Sequence, residues 1–145
     1  MMTDLEKMGR ETLGETVRFA VIRDGQTVHT SVGRGVRPLL ELLGTSPGLL
    51  KGATVADKIV GKAAALLFLK GGVARVYGGV MSDEAYCLLD ANGVQAAYGV
   101  RADAISNRDG TDLCPMERAV LETDNPDEAF TILKDTVNKL TAKRP

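Results

Sequence analysis

With 145 residues, 44% of them hydrophobic and 26% charged, the chain has the size and composition of a single globular domain with a real core. Its 18 Lys+Arg balance 19 Asp+Glu, which excludes a basic field suited to scanning nucleic acid and leaves only local basic spots, Arg34 with Arg37 and the tail pair Lys143-Arg144. The longest apolar run, Ala63 to Leu69, is far short of the ~20 residues that span a bilayer, so no membrane partner is expected. The N-terminus MMTDLEKMGRE lacks the apolar stretch of a secretory signal. Two cysteines, Cys87 and Cys114, are too few for a disulfide framework. One domain over residues 1–145 in a reducing cytoplasm is the expectation, with the tail pair as a solvated end.

Thr3-Asp4-Leu5-Glu6 has capping-box spacing and predicts a first helix near 4–13. VRFAVI (17–22) and TVHTSV (27–32) flank Asp24-Gly25, a hairpin signal because both turn residues need positive φ. Thr27, His29 and Ser31 give the second strand a polar face, which suits an edge position with His29 exposed. Gly33-Arg34-Gly35 leads into VRPLLELL, a helix with Pro38 in its first turn. A helix over 54–69 follows, stopped by Gly71-Gly72. VARVYGGV (73–80) reads as a strand, Ser82 to Asn92 as a helix closed by Gly93, and VQAAYGV (94–100) as a strand. A loop from Asn107 to Cys114 precedes a short helix at Pro115 to Leu121. Asn125-Pro126-Asp127-Glu128 caps a last helix, with Phe130, Leu133, Val137 and Leu140 on its apolar stripe. This order predicts an α/β layered domain whose mixed sheet starts with an antiparallel hairpin and carries helices on both faces.

Several familiar sites fail on spacing. Gly61-Lys62 has Ala56 where a phosphate loop needs glycine. Gly33-Arg34-Gly35-Val36-Arg37-Pro38 sits between strand and helix as a dinucleotide fingerprint does, but Pro38 replaces the third glycine. A tight turn is favoured there over an anion cradle. An EF-hand loop centred on Gly110 would place Ile105 and Met116 at ligand positions. One His and two distant Cys form no zinc set, so no metal or cofactor is expected. Cys114, the residue before Pro115, takes the N-cap place with Glu117 at N3. A thiol there is a candidate nucleophile, with Asp109 or Lys62 as guesses for its base, and a buried cysteine beside a cap is the plainer alternative. Cys87, beside leucines, reads as core.

GRGVRPLLELL, TVADKIVGKAAALL, YGGVMS and NRDGTDLCPMERAVL, in that order across about residues 15–135, resemble an uncharacterised prokaryotic family catalogued as domain of unknown function 1893. The resemblance implies a three-layer cytidine-deaminase-like fold. Zinc deaminases carry H-x-E at one helix start and P-C-x-x-C at the next. By element order Val55-Ala56-Asp57 occupies the first place, while Ser82 and Ala85 fall near the second. Val55 and Ala85 cannot ligate zinc, so deaminase activity is not expected.

The same fold implies two helix N-termini, near Thr54 and Ser82, that converge and attract anions. Gly78 and Gly79 would let a ligand approach the backbone, and Lys58 and Lys62, one turn apart on the predicted helix, would add charge. Asn107, Asp109 and Glu117 would hydrogen-bond a base or ribose if their loop closes over the pocket. The expected ligand-binding set is therefore Thr54, Val55, Asp57, Lys58, Lys62, Gly78, Gly79, Ser82, Asn107, Asp109 and Glu117, for a nucleotide-like or other phosphate-bearing small molecule. Two other readings stand beside it. One is a non-deaminase enzyme, for example a group-transfer enzyme, using Cys114 or Asp57. The other is an interaction module forming a homo-oligomer through its edge strand. The plain reading of 54–62 is a helix capped by Thr54 and Asp57 with solvated lysines.

Overall fold

A computed structural model describes residues 2–107 and 110–142 of the chain. Its elements are α1 (Asp4–Thr12), β1 (Phe19–Arg23), β2 (Gln26–Ser31), α2 (Arg37–Thr45), β3 (Thr54–Val60), α3 (Lys62–Gly71), β4 (Arg75–Ser82), α4 (Asp83–Ala91), β5 (Gln95–Ala102), α5 (Pro115–Ala119) and α6 (Pro126–Ala142). The local signals act as their chemistry predicts. Thr3 Oγ1 accepts the Glu6 N–H at 3.2 Å, and Asn125 Oδ1 accepts the Glu128 N–H at 3.0 Å. The β1–β2 turn holds Asp24 at φ 52° and Gly25 at φ 76°, the left-handed pair that a tight hairpin turn requires. Lys143-Arg144 and Asp109 lie outside the described residues.

The sheet runs β2-β1-β3-β4-β5. β1 is antiparallel to both β2 and β3, while β3, β4 and β5 are parallel. One face is covered by α2, α3, α4 and α6, whose Leu39, Leu66, Leu67, Leu89 and Leu133 share a core with Val21, Val55 and Val76. Phe68 stacks on Phe19 there, with ring centroids 6.5 Å apart. α1 covers the other face, where Leu5 meets Ala56 and Tyr77. Gly9 lets α1 approach, since a Cβ there would lie 2.2 Å from the Tyr77 ring. The molecule is thus a three-layer α/β domain with a mixed sheet, an N-terminal antiparallel hairpin and helices on both faces.

The departure from the predicted elements is at residues 54–61. Thr54–Val60 is a central strand, and the helix begins only at Lys62 after Gly61 as N-cap. Thr54, Val55, Ile59 and Val60 are β-branched, and a strand buried on both faces shows no alternation to betray it. Pairing with β1 on one side and β4 on the other satisfies backbone groups that a helix would have satisfied internally. Lys58 and Lys62 are consequently on different elements, not one turn apart.

β3, β4 and β5 share an irregularity: pairing passes over Lys58, Gly79 and Gly99. Val55 and Val60 enter the same core, as do Val76 and Met81, although their odd spacing would put them on opposite faces of a regular strand. Each strand therefore carries an extra residue at this level. Glycine follows from the geometry, because a Cβ at Gly79 would lie 2.8 Å from the Lys58 carbonyl oxygen and one at Gly99 2.9 Å from that of Gly79.

Two smaller expectations are also corrected. Cys87 is exposed rather than core. His29 is half-buried and packs edge-on against Phe19 at 6.2 Å, while Val28 and Val32 of the alternate face are exposed; β2 is an edge strand as expected.

Candidate functional site

The N-terminus of α3 is filled by the protein itself. Glu117 reaches from α5 and accepts the Lys62 N–H at 2.8 Å on Oε1 and the Ala63 N–H at 2.7 Å on Oε2. A buried carboxylate across two orphan N–H groups is a charge-assisted cap at the positive end of the helix dipole. Burial pushes the Glu117 carboxyl above its usual range, opposed by the two N–H groups and by Lys62 and reinforced by Glu84. The Lys62 side chain turns away from this cap. Its buried ammonium lies 2.9 Å from Asp124 Oδ1 and 4.0 Å from Glu84 Oε1, with the Leu121 carbonyl at 3.4 Å.

The α4 terminus is likewise closed. Ser82 Oγ accepts the Ala85 N–H at 3.1 Å, and Asp83 and Glu84 follow in the first turn. Convergent free helix ends near Thr54 and Ser82 are therefore not what the fold presents. Thr54 starts a strand, and its hydroxyl accepts from Arg75 Nε at 2.9 Å; Val55 is core. Gly78 and Gly79 serve the contact between β3 and β4: a Cβ at Gly78 would lie 3.0 Å from Val60.

What the fold does present is a cavity of about 830 Å³ beside the end of β3, within the range of small-molecule sites. Antiparallel pairing brings Arg18, just before β1, next to Lys58, whose N–H donates to the Arg18 carbonyl at 3.0 Å. The β2–α2 connection adds Arg34 and Arg37 to the same lining. Arg37 also donates from Nη2 to Thr141 Oγ1, tying α2 to the end of α6. Among the described residues no carboxylate lies within 4.0 Å of the charged nitrogens of Arg18, Arg34, Arg37 or Lys58. Ile105, Met116, Val137 and Leu140 supply an apolar wall.

Asp57, Lys58, Asn107 and Glu117 of the expected ligand-binding set line this cavity, as does Cys114, the candidate nucleophile, whereas Thr54, Val55, Lys62, Gly78, Gly79 and Ser82 do not. Asp57 is half-buried, and burial raises its carboxyl from 3.8 to about 8 against the backbone N–H groups of Lys58 and Ile59 and the charge of Arg18. Asn107 turns its amide oxygen inward to its own loop, accepting the Thr111 N–H at 3.1 Å. Cys114 is the N-cap residue of α5 and partly exposed. Arg18 is the lining cation with no signal in the sequence, because only the β1–β3 pairing places it there.

A family profile described as "Domain of unknown function (DUF1893)" matches residues 9–137. The chain belongs to the DUF1893 family. It is similar to a DUF1893 family protein (TM1506) from Thermotoga maritima, with 31% identity, a TM-score of 0.73, and coverage of 85% of this chain and 80% of that one. It also has a weaker likeness to a diaminohydroxyphosphoribosylaminopyrimidine deaminase/5-amino-6-(5-phosphoribosylamino)uracil reductase from the same organism. That likeness has 16% identity and a TM-score of 0.45, and covers 96% of this chain and 40% of that one. No curated protein matches the chain.

In this DUF1893 domain the donors do not suit a deaminase zinc. Val55-Ala56-Asp57 is on a strand, so α3 opens with Gly61-Lys62-Ala63 and α4 with Ser82-Asp83-Glu84-Ala85. Gly61, Lys62 and Ala63 bring no ligand set, the Ser82 hydroxyl caps its own helix, and both Glu117 oxygens are engaged. Among the described residues no three His, Cys, Asp or Glu side chains group closely enough to hold a metal ion.

Proposed function

We propose that this DUF1893 domain binds a phosphate-bearing small molecule of nucleotide size in the cavity beside β3. One observation carries the reading: Arg18, Arg34, Arg37 and Lys58 converge on one cavity with no carboxylate partner within 4.0 Å among the described residues. Arginine forks match phosphate oxygens two at a time, and the wall of Ile105, Met116, Val137 and Leu140 suits a planar base. The site lies at the side of α3, not at convergent helix ends.

Thermal denaturation with inorganic phosphate, AMP, UMP and their nucleosides tests this. A nucleotide at 100 times its Kd adds about 2.7 kcal/mol of stability. Arg34→Ala, on an exposed loop, is expected to lower that response without altering the unliganded melting temperature. Absence of a shift with every phosphate-bearing compound would overturn the reading.

A further inference from the structure

Asp57 stands among four cations and pairs with none of them. Its neighbours across the sheet are Phe19, buried, on β1 and Gly78, without a side chain, on β4. The carboxyl lines the cavity and makes no ion pair with a described side chain, while the Lys58 N–H beside it is taken by the Arg18 carbonyl at 3.0 Å. The surrounding cations are therefore arranged for something other than neutralising it.

We propose that Asp57 is a specificity-determining residue of this cavity. Its carboxyl donates a hydrogen bond to an uncharged acceptor, a ring carbonyl or ring nitrogen, on a molecule whose anionic group is held by the arginines. The inference rests on the anion-binding reading above and narrows it to compounds that join an anionic group to a neutral planar body. Free phosphate would satisfy the arginines and leave Asp57 and the apolar wall without partners, and a free base or nucleoside would do the reverse.

The protonation this requires fits the surroundings. Burial holds the Asp57 carboxyl up to about 8, so it carries its proton at neutral pH, as a donor must. The charged and titratable groups that face it across the cavity are Arg18 before β1, Lys58 on β3 itself, Arg34 and Arg37 from the β2–α2 connection, and Cys114 and Glu117 from the α5 side. Glu117 is no substitute donor, because both its oxygens accept from α3. Ionised Asp57 would lose the donated bond and repel the incoming anion as well.

Calorimetric titration of the full chain with AMP, UMP, adenosine, uridine and inorganic phosphate between pH 7 and 9.5 tests the proposal. Affinity of the wild type for a nucleoside monophosphate should fall by about tenfold per pH unit above the Asp57 titration, following loss of one proton. Asp57→Asn, which keeps a neutral donor of the same shape, should bind with an affinity flat over this range, and both proteins should bind phosphate or nucleoside alone at least tenfold more weakly. The wild-type profile is itself a test that needs no variant. Nucleotide binding with no pH dependence, or with the same dependence in Asp57→Asn, would overturn the role of Asp57 and leave anion binding standing. Failure of every phosphate-bearing compound to bind would overturn both.

Discussion

Gly61 is glycine because Glu117 needs the space: a Cβ at residue 61 would lie 2.1 Å from Glu117 Oε1. The backbone there is extended, at φ −105° and ψ −171°, so any residue type satisfies the torsions and the constraint is purely one of volume. Gly61→Ala should push the carboxylate off the Lys62 and Ala63 N–H groups and cost about 1–3 kcal/mol. In a Glu117→Ala background the same methyl meets no carboxylate and should cost well under 1 kcal/mol. Urea denaturation of the two single variants and the double variant measures this coupling, and additive effects would contradict the contact.

Stability should decline as pH rises through the range in which Asp57 titrates. A carboxyl whose folded value exceeds its unfolded one holds more protons in the folded state. Its contribution is therefore complete below pH 3.8 and is lost as pH climbs toward about 8. Glu117, also raised, acts in the same direction. Unfolding free energies from urea denaturation between pH 5 and 9 should fall in the wild type and fall less in Asp57→Asn, with the difference reaching roughly a few kcal/mol at the alkaline end.

The irregular row across the parallel strands gives a second packing test. Gly79→Ala places a methyl 2.8 Å from the Lys58 carbonyl oxygen, a backbone atom that cannot rotate aside. A loss of about 1–3 kcal/mol is expected. Gly93→Ala also costs stability, but through its left-handed φ of 77° with open space around the Cβ, and should cost only about 1 kcal/mol. Chemical denaturation separates the two mechanisms by magnitude.

Lys62 and Arg34 should behave oppositely in binding. Lys62 is turned toward Asp124 and Glu84 and is outside the cavity lining, so Lys62→Met is expected to leave nucleotide affinity within about twofold. Arg34→Ala removes a charged hydrogen-bond donor from the cavity and should weaken affinity by about 10- to 100-fold. Titration with the best nucleotide from the thermal screen decides between them; equal losses would point back to the α3 terminus as the site.

Local chemistry made much of this fold readable in the sequence. The caps at Thr3, Ser82 and Asn125, the Asp24-Gly25 turn and the αL glycine after α4 each act over a few residues, so the elements other than β3 could be placed in chain order from local signals. The family motifs were also legible, and the sequence itself puts Val55 and Ala85, which cannot ligate zinc, where the resemblance would need ligands. Asp57, Lys58, Asn107, Cys114 and Glu117 stood out one by one for their chemical type and position.

Only the tertiary structure decided what those residues do together. Thr54–Val60 is strand rather than helix because β1 and β4 are there to take its backbone hydrogen bonds, a fact about partners far away in sequence. The cavity joins Arg18 to Thr141 across nearly the whole chain, and the Glu117 cap spans more than fifty residues. A short apolar segment with a few charges is compatible with either backbone form, and a helix end is an anion site only until another side chain fills it. The sequence by itself determined most elements through signals that act over a few residues; packing of distant segments made residues 54–60 a strand, closed the α3 end with the protein's own Glu117 carboxylate, and brought Arg18, Arg34, Arg37 and Lys58 to the lining of one cavity beside it.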